Sequence, residues 1–127
     1  MKKILYIDDE PEQLFVIRAR LEANGFSVMT ASKGKIGLAK AKEDPPDLII
    51  LDLLMPEMSG FELCKKLKSS SKTRHIPVIF ITASGIRDLE EQAQKVGAEI
   101  SLRRPYESSE LLGIVQSLLE EQDEAHE

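Results

Sequence analysis

Short apolar runs alternate with helix-like segments five times along the 127 residues of the chain. Two of the runs, 48–51 and 76–81, are uninterrupted, which is typical of strands that are covered on both faces of a sheet. The alternation predicts strands at 3–7, 26–30, 48–51, 76–81 and 100–102. It predicts helices at 12–23, 33–42, from 60 to the serines at 69–71, around 89–96, and from a capping Ser108 or Ser109 to 119.

Five strand-then-helix units of this kind predict a parallel sheet, because right-handed crossovers place a helix between successive parallel strands. The predicted fold class is α/β, a flavodoxin-like doubly wound (βα)5 arrangement with strand order 2-1-3-4-5 and helices on both faces of the sheet. The length suits one domain, which we expect at residues 1–119. Residues 120–127 are then an acidic C-terminal tail or the start of a linker.

The formal net charge of −5 lies in the last eight residues, which carry five acidic side chains and no lysine or arginine. The rest of the chain is neutral and has no basic stripe, so direct nucleic-acid binding by this chain is not expected. The one cysteine, Cys64, excludes an internal disulfide and fits a reducing compartment. The apolar run at 4–7 is too short for a secretory signal, and no run approaches a membrane span. We therefore expect a cytoplasmic protein with no membrane partner.

Polar side chains stand at the carboxyl ends of four predicted strands, and ligands of doubly wound sheets bind outside that edge. Asp8 and Asp9 follow the first strand, Asp52 the third, Thr82 the fourth and Arg104 the fifth. Neighbouring carboxylates stay ionised at neutral pH only when a cation neutralises them, and Mg²⁺ prefers such oxygen ligands. A carboxylate can also accept a phosphoryl group, whose charge Thr82 and Arg104 are suited to bind.

These residues, in this order and at this spacing, resemble the receiver domain of response regulators, the CheY-like family. The resemblance rests on Asp8-Asp9, the segment DLLMPEMSG at 52–60, Thr82-Ala83 and Arg104-Pro105, and it covers residues 3 to about 120. It implies two-component signalling, in which Asp52 accepts a phosphoryl group from a sensor histidine kinase or a histidine phosphotransfer protein. The signal would then pass to a downstream protein or to a fused output domain.

The same resemblance implies a role for each site residue. Mg²⁺ would be held by Asp9, Asp52 and the backbone carbonyl of Leu54, with Asp8 acting largely through water. Thr82 would follow the phosphoryl group. Catalysis would be limited to self-catalysed phosphotransfer and autodephosphorylation.

Two positions depart from the family pattern. Arg104 stands where the family usually has lysine, and Ser101 stands where it usually has tyrosine or phenylalanine. A guanidinium is longer and bidentate, so we expect Arg104 to pair with the acidic pocket at rest and to reach Asp52. The resemblance also implies a cis Arg104-Pro105 bond. A pseudo-receiver, a protein-interaction domain with an impaired switch, is the alternative that these departures leave open.

Two enzyme or cofactor classes are disfavoured by single positions. A hydrolase of the haloacid-dehalogenase kind needs an acid two residues after the nucleophile, where this chain has Leu54. A flavin-binding flavodoxin needs glycine or hydroxyl donors after the first strand, where this chain has an acidic segment. Cys64 and His75 are expected to be structural or solvated residues, and His126 is expected to belong to the tail.

Overall fold

The computed structural model describes residues 1–83 and 85–125, which form ten alternating strands and helices. In chain order these are β1 Lys3–Ile7, α1 Pro11–Ala23, β2 Ser27–Ala31, α2 Gly34–Glu43, β3 Leu48–Asp52, α3 Gly60–Lys68, β4 Val78–Thr82, α4 Leu89–Lys95, β5 Ile100–Arg103 and α5 Ser108–Ala125. The strands pair in parallel in the order β2-β1-β3-β4-β5. The predicted fold class and strand order are therefore confirmed.

The sheet separates two apolar cores, because successive side chains of a strand point to opposite faces. On one face, Leu5 and Ile7 of β1 pack with buried residues of α2, α3 and α4. On the other face, Ile4 and Tyr6 pack with α1 and α5. Both faces are covered, which explains why β3 and β4 are buried at every position.

Helix and strand ends follow local chemistry. Ser59 precedes α3, and its hydroxyl accepts a hydrogen bond from the backbone N–H of Glu62. Gly25 follows α1 with φ of 89°, a conformation that glycine adopts without strain. The predicted start of β4 at Ile76 is wrong, because its N–H bonds the carbonyl of Thr73 in a turn and the next residue is Pro77, which has no N–H.

The last helix is longer than the pattern indicated. It begins at Ser108 and continues to Ala125, so that residues 120–125 of the acidic segment are helical. Lys2 forms a 2.6 Å ion pair with Asp123 of this helix. The boundary at residue 119 stays a prediction, and His126 lies outside the described residues. In the part of the chain that the structure describes, no helix is both long and apolar enough to cross a bilayer.

A close approach of α3 to the end of β3 fixes the position of the carboxyl edge of the sheet. The N–H of Gly60 bonds the carbonyl of Leu53 at 3.0 Å. A Cβ at residue 60 would lie 2.8 Å from the Asp52 carbonyl oxygen and from the Leu53 Cα, both of them backbone atoms. Glycine is therefore required here by space.

We expect Gly60→Ala to destabilise the protein by about 1–3 kcal/mol, because the added methyl group must push α3 away from β3. Gly113→Ala is the matched control, because residue 113 lies on α5 with open space around its Cβ position. Because Gly113→Ala removes a glycine from a helix, its free energy of unfolding should rise by up to about 1 kcal/mol. Urea unfolding measures both, and equal effects of the two changes would show that the contact at residue 60 is unimportant.

Candidate active site at the carboxyl edge of the sheet

Three carboxylates meet where β1 and β3 end. Asp8 and Asp9 directly follow β1, Asp52 is the last residue of β3, and ligand oxygens of all three lie within 4.8 Å of one another. The pairing of Ile7 with Leu51 brings the two strand ends to the same level. Asp8 is completely buried and Asp52 is 4% exposed, so their charges are poorly solvated.

The Asp52 carboxyl group is consequently hard to ionise. Burial, followed by the negative charge of Asp8, raises its pKa to about 6. The backbone N–H of Leu54, 3.3 Å from Asp52 Oδ1, and the charge of Arg104 oppose this rise. The carboxylate is thus the main form near neutral pH, and its ionisation is costly without a cation.

Arg104 reaches into this cluster from the end of β5. Its guanidinium Nη2 donates to Asp8 Oδ2 at 3.2 Å, and its Nη1 lies 4.0 Å from Asp52 Oδ1. Burial opposes its charge, but Tyr6, Asp8 and Asp52 outweigh that effect and raise the pKa of Arg104. The predicted pairing with the acidic pocket is confirmed, with Asp8 and not Asp52 as the nearer carboxylate. The Arg104-Pro105 bond is cis, as predicted.

Thr82 ends β4 beside the cluster. Its side chain is completely buried, and its Oγ1 has no hydrogen-bond partner among the described residues. Buried hydroxyl groups are normally satisfied, so an unpaired one calls for an explanation. Leu54 contributes through its backbone, because its side chain is 60% exposed while its N–H bonds Asp52. The structure therefore brings together the three carboxylates, Arg104 and the Leu54 backbone, and it places Thr82 at the end of β4, the strand that pairs with β3.

Tyr6 is a site residue that the sequence reasoning missed. It lies two positions before Asp8 on the same face of β1, and its hydroxyl donates to Asp8 Oδ2 at 2.5 Å. The same hydroxyl oxygen accepts from Arg104 Nη2 at 3.2 Å. Burial, followed by the bond to Asp8, raises the pKa of Tyr6, so the phenol stays protonated. A tyrosine among aliphatic strand residues was the available signal, because a buried hydroxyl needs a partner.

Residues 4–116 match the family described as response regulator receiver domain. The chain belongs to this family. Response regulator PleD of Caulobacter vibrioides is 41% identical over 116 residues, which are 91% of this chain and 26% of that protein. Protein PilH of Pseudomonas aeruginosa is 31% identical, over 94% of this chain and 98% of PilH. The chain spans only a quarter to a half of the length of several curated relatives that it matches.

A solved structure provides a comparison for the acidic cluster of this receiver domain. The receiver domain of sensor histidine kinase PA1611 from Pseudomonas aeruginosa PAO1, with magnesium coordinated in its active site cleft, is 25% identical. The alignment covers 93% of this chain and 97% of that one, with a TM-score of 0.85. Receiver domains therefore include members that hold Mg²⁺ in this fold.

The raised pKa of Asp52 predicts a pH-dependent gain of stability in Asp52→Asn. A carboxyl whose pKa is higher in the folded than in the unfolded state lowers stability as pH rises from about 4 to above 6. In chelator, Asp52→Asn should therefore be more stable than the native chain by about 1–2 kcal/mol near pH 7.5, and this gain should vanish near pH 4.

Urea unfolding at the two pH values measures the difference, and Asp88→Asn, an exposed acid at the start of α4, is the control. A gain of equal size at both pH values would contradict the electrostatic explanation.

Proposed function

We propose that this receiver domain accepts a phosphoryl group on Asp52 from a sensor histidine kinase or a histidine phosphotransfer protein. The observation that carries the proposal is the grouping of three carboxylates within 4.8 Å, with the Arg104 guanidinium, at the edge where Thr82 ends β4 and its buried hydroxyl has no hydrogen-bond partner among the described residues. We place the reaction in the cytoplasm, with no direct contact of this chain with nucleic acid or membrane. A downstream protein or a fused output domain would receive the signal.

Mg²⁺ suits the donor set. Three carboxylates and one guanidinium leave a net charge of about −2 in the pocket when all are ionised, which one divalent cation balances. Asp9, Asp52 and the carbonyl of Leu54 would hold the ion, and Asp8 would act largely through water. When bound, it would neutralise the pocket and allow an anionic phosphodonor to approach.

The chemistry assigned to the chain's own residues is a single displacement at phosphorus. A carboxylate oxygen of Asp52 forms a bond to the phosphorus, and the bond from phosphorus to the donor's histidine nitrogen breaks, with its electron pair staying on the imidazole. The Thr82 hydroxyl and the Arg104 guanidinium would then bind the phosphoryl oxygens. Autodephosphorylation would be the only other reaction, with water as the nucleophile.

Incubation with acetyl phosphate and Mg²⁺ should add one phosphoryl group, detected by intact mass, because Asp52 is the proposed nucleophile. The label should be absent in Asp52→Asn and in chelator. Asp88→Asn, an acid-to-amide change outside the pocket, should be labelled normally. Labelling of Asp52→Asn to the native extent would refute Asp52 as the acceptor.

A pseudo-receiver is the second candidate, and two observations favour it. The Arg104 guanidinium is engaged by Asp8 at 3.2 Å, a carboxylate that belongs to the pocket itself. Ser101 lines a cleft of about 500 Å³ beside α4 and offers no aromatic ring to fill it. A cation that is engaged in both states discriminates little between them, so the conformational response would be small. Metal-dependent binding of beryllofluoride at Asp52 separates a phosphoaccepting domain from a pure interaction domain.

If both departures weaken the switch, Arg104→Lys/Ser101→Tyr should respond more strongly than the native chain to beryllofluoride. The larger response would arise because lysine has a single nitrogen and cannot approach Asp8 and Asp52 together as the two guanidinium nitrogens do, and because tyrosine can occupy the cleft beside α4. NMR shift changes over residues 86–119 measure it, with Asp52→Asn as the unresponsive control. A native response equal to or larger than that of the double variant would contradict the weakened switch.

A further inference from the structure

The hydroxyl of Tyr6 forms hydrogen bonds with both the Asp8 carboxylate and the Arg104 guanidinium. Tyr6 is completely buried, and its hydroxyl donates to Asp8 Oδ2 at 2.5 Å while accepting from Arg104 Nη2 at 3.2 Å. Arg104 Nη2 also donates to the same Asp8 oxygen at 3.2 Å. The three groups form a closed ring of hydrogen bonds in which each one touches the other two.

This ring lies on one side of the carboxylate cluster. Arg104 Nη2 has a further acceptor in Gln13 Oε1 at 3.5 Å, on α1. The three acceptors therefore lie on β1, at the residue that directly follows β1 and on α1, whereas Asp52 on β3 is 4.0 Å from the guanidinium. The hydrogen bonds of Arg104 hold it away from the proposed phosphoacceptor.

We propose that Tyr6 is a positioning residue, whose hydroxyl keeps the Arg104 guanidinium on Asp8 and so leaves Asp52 open to Mg²⁺ and to the phosphoryl group. The inference rests on the proposed function of Asp52 and adds a residue that the acidic motif does not contain. The hydrogen bonds of the Tyr6 hydroxyl go to Asp8 and Arg104, and in this proposal Tyr6 acts on Asp52 through Arg104.

Removal of the hydroxyl has a definite physical consequence. In Tyr6→Phe, Arg104 loses one acceptor on the β1 side, and its charge shifts toward Asp52, the other carboxylate within 4.0 Å. A guanidinium on Asp52 competes with Mg²⁺ for the same oxygens. Magnesium binding should therefore weaken, although no magnesium ligand has been changed.

A double-mutant cycle on Mg²⁺ affinity tests this inference without any phosphodonor. The dissociation constant is measured by NMR titration for the native chain, Tyr6→Phe, Arg104→Met and the double variant. In the presence of Arg104, Tyr6→Phe should raise the dissociation constant roughly five-fold, which is about 1 kcal/mol at 1.4 kcal/mol per factor of ten. In the Arg104→Met background it should change the constant by less than about two-fold.

An unchanged or lowered dissociation constant in Tyr6→Phe overturns the proposal, and so does a five-fold increase that persists with Met at 104. If the increase persists with Met at 104, the Tyr6 hydroxyl affects magnesium binding through its hydrogen bond to Asp8 or through the stability of the fold, and Arg104 has no role in the effect. Should Tyr6→Phe not fold, the native chain still decides, because a Tyr6 hydroxyl proton bonded in this ring is slow to exchange and visible by NMR. A hydroxyl proton in fast exchange with water contradicts the ring.

The outcome is separable from that of the proposed function. Loss of acetyl phosphate labelling in Asp52→Asn decides whether Asp52 is the acceptor. The double-mutant cycle on Mg²⁺ affinity decides whether Tyr6 acts through Arg104, and it gives an answer even in a domain that is never phosphorylated.

Discussion

Mutual repulsion among the three carboxylates is the constraint on which the rest of this edge depends. Parallel pairing of β1 and β3 ends both strands at the same level, and burial then removes the water that would screen Asp8 and Asp52. The free-energy cost of ionising Asp52 in this cluster is reflected in its pKa, which burial and the charge of Asp8 raise to about 6. An arrangement of this kind persists only when donors from the surrounding chain are directed at the oxygens.

The donors come from backbone turns as well as from side chains. The N–H of Glu10 bonds Asp8 Oδ1 at 3.0 Å, and the N–H of Leu54 bonds Asp52 Oδ1 at 3.3 Å. Both turns are held by the helices that follow them, α1 in one case and α3 in the other. The absence of a side chain at Gly60 lets α3 start close to β3, and this links packing of the core to the position of Asp52.

The pattern of the sequence was sufficient for the sheet order and for the set of residues at its carboxyl edge. Apolar runs identify buried strands, and right-handed crossovers then leave few orders to choose from. The role of Tyr6 was not accessible in this way, because its partner Arg104 is 98 positions away in the chain. The preference of Arg104 for Asp8 was equally hidden, since it depends on distances of 3.2 Å and 4.0 Å to two carboxylates of the same cluster.

Charge balance connects the resting arrangement with the proposed reaction. A phosphoryl group on Asp52 would replace one negative charge with about two, by analogy with other phosphorylated side chains. The new charge favours movement of Arg104 from Asp8 toward Asp52, a shift that begins from a separation of 4.0 Å. Asp8 would then lose a cationic partner while remaining completely buried. The Tyr6 hydroxyl would still donate to Asp8 at that stage, so that the departure of Arg104 does not leave a buried carboxylate without a side-chain donor. The Tyr6 hydroxyl thus stabilises the arrangement in which it accepts a hydrogen bond from Arg104. It also limits the free-energy cost of moving Arg104 from Asp8 toward Asp52.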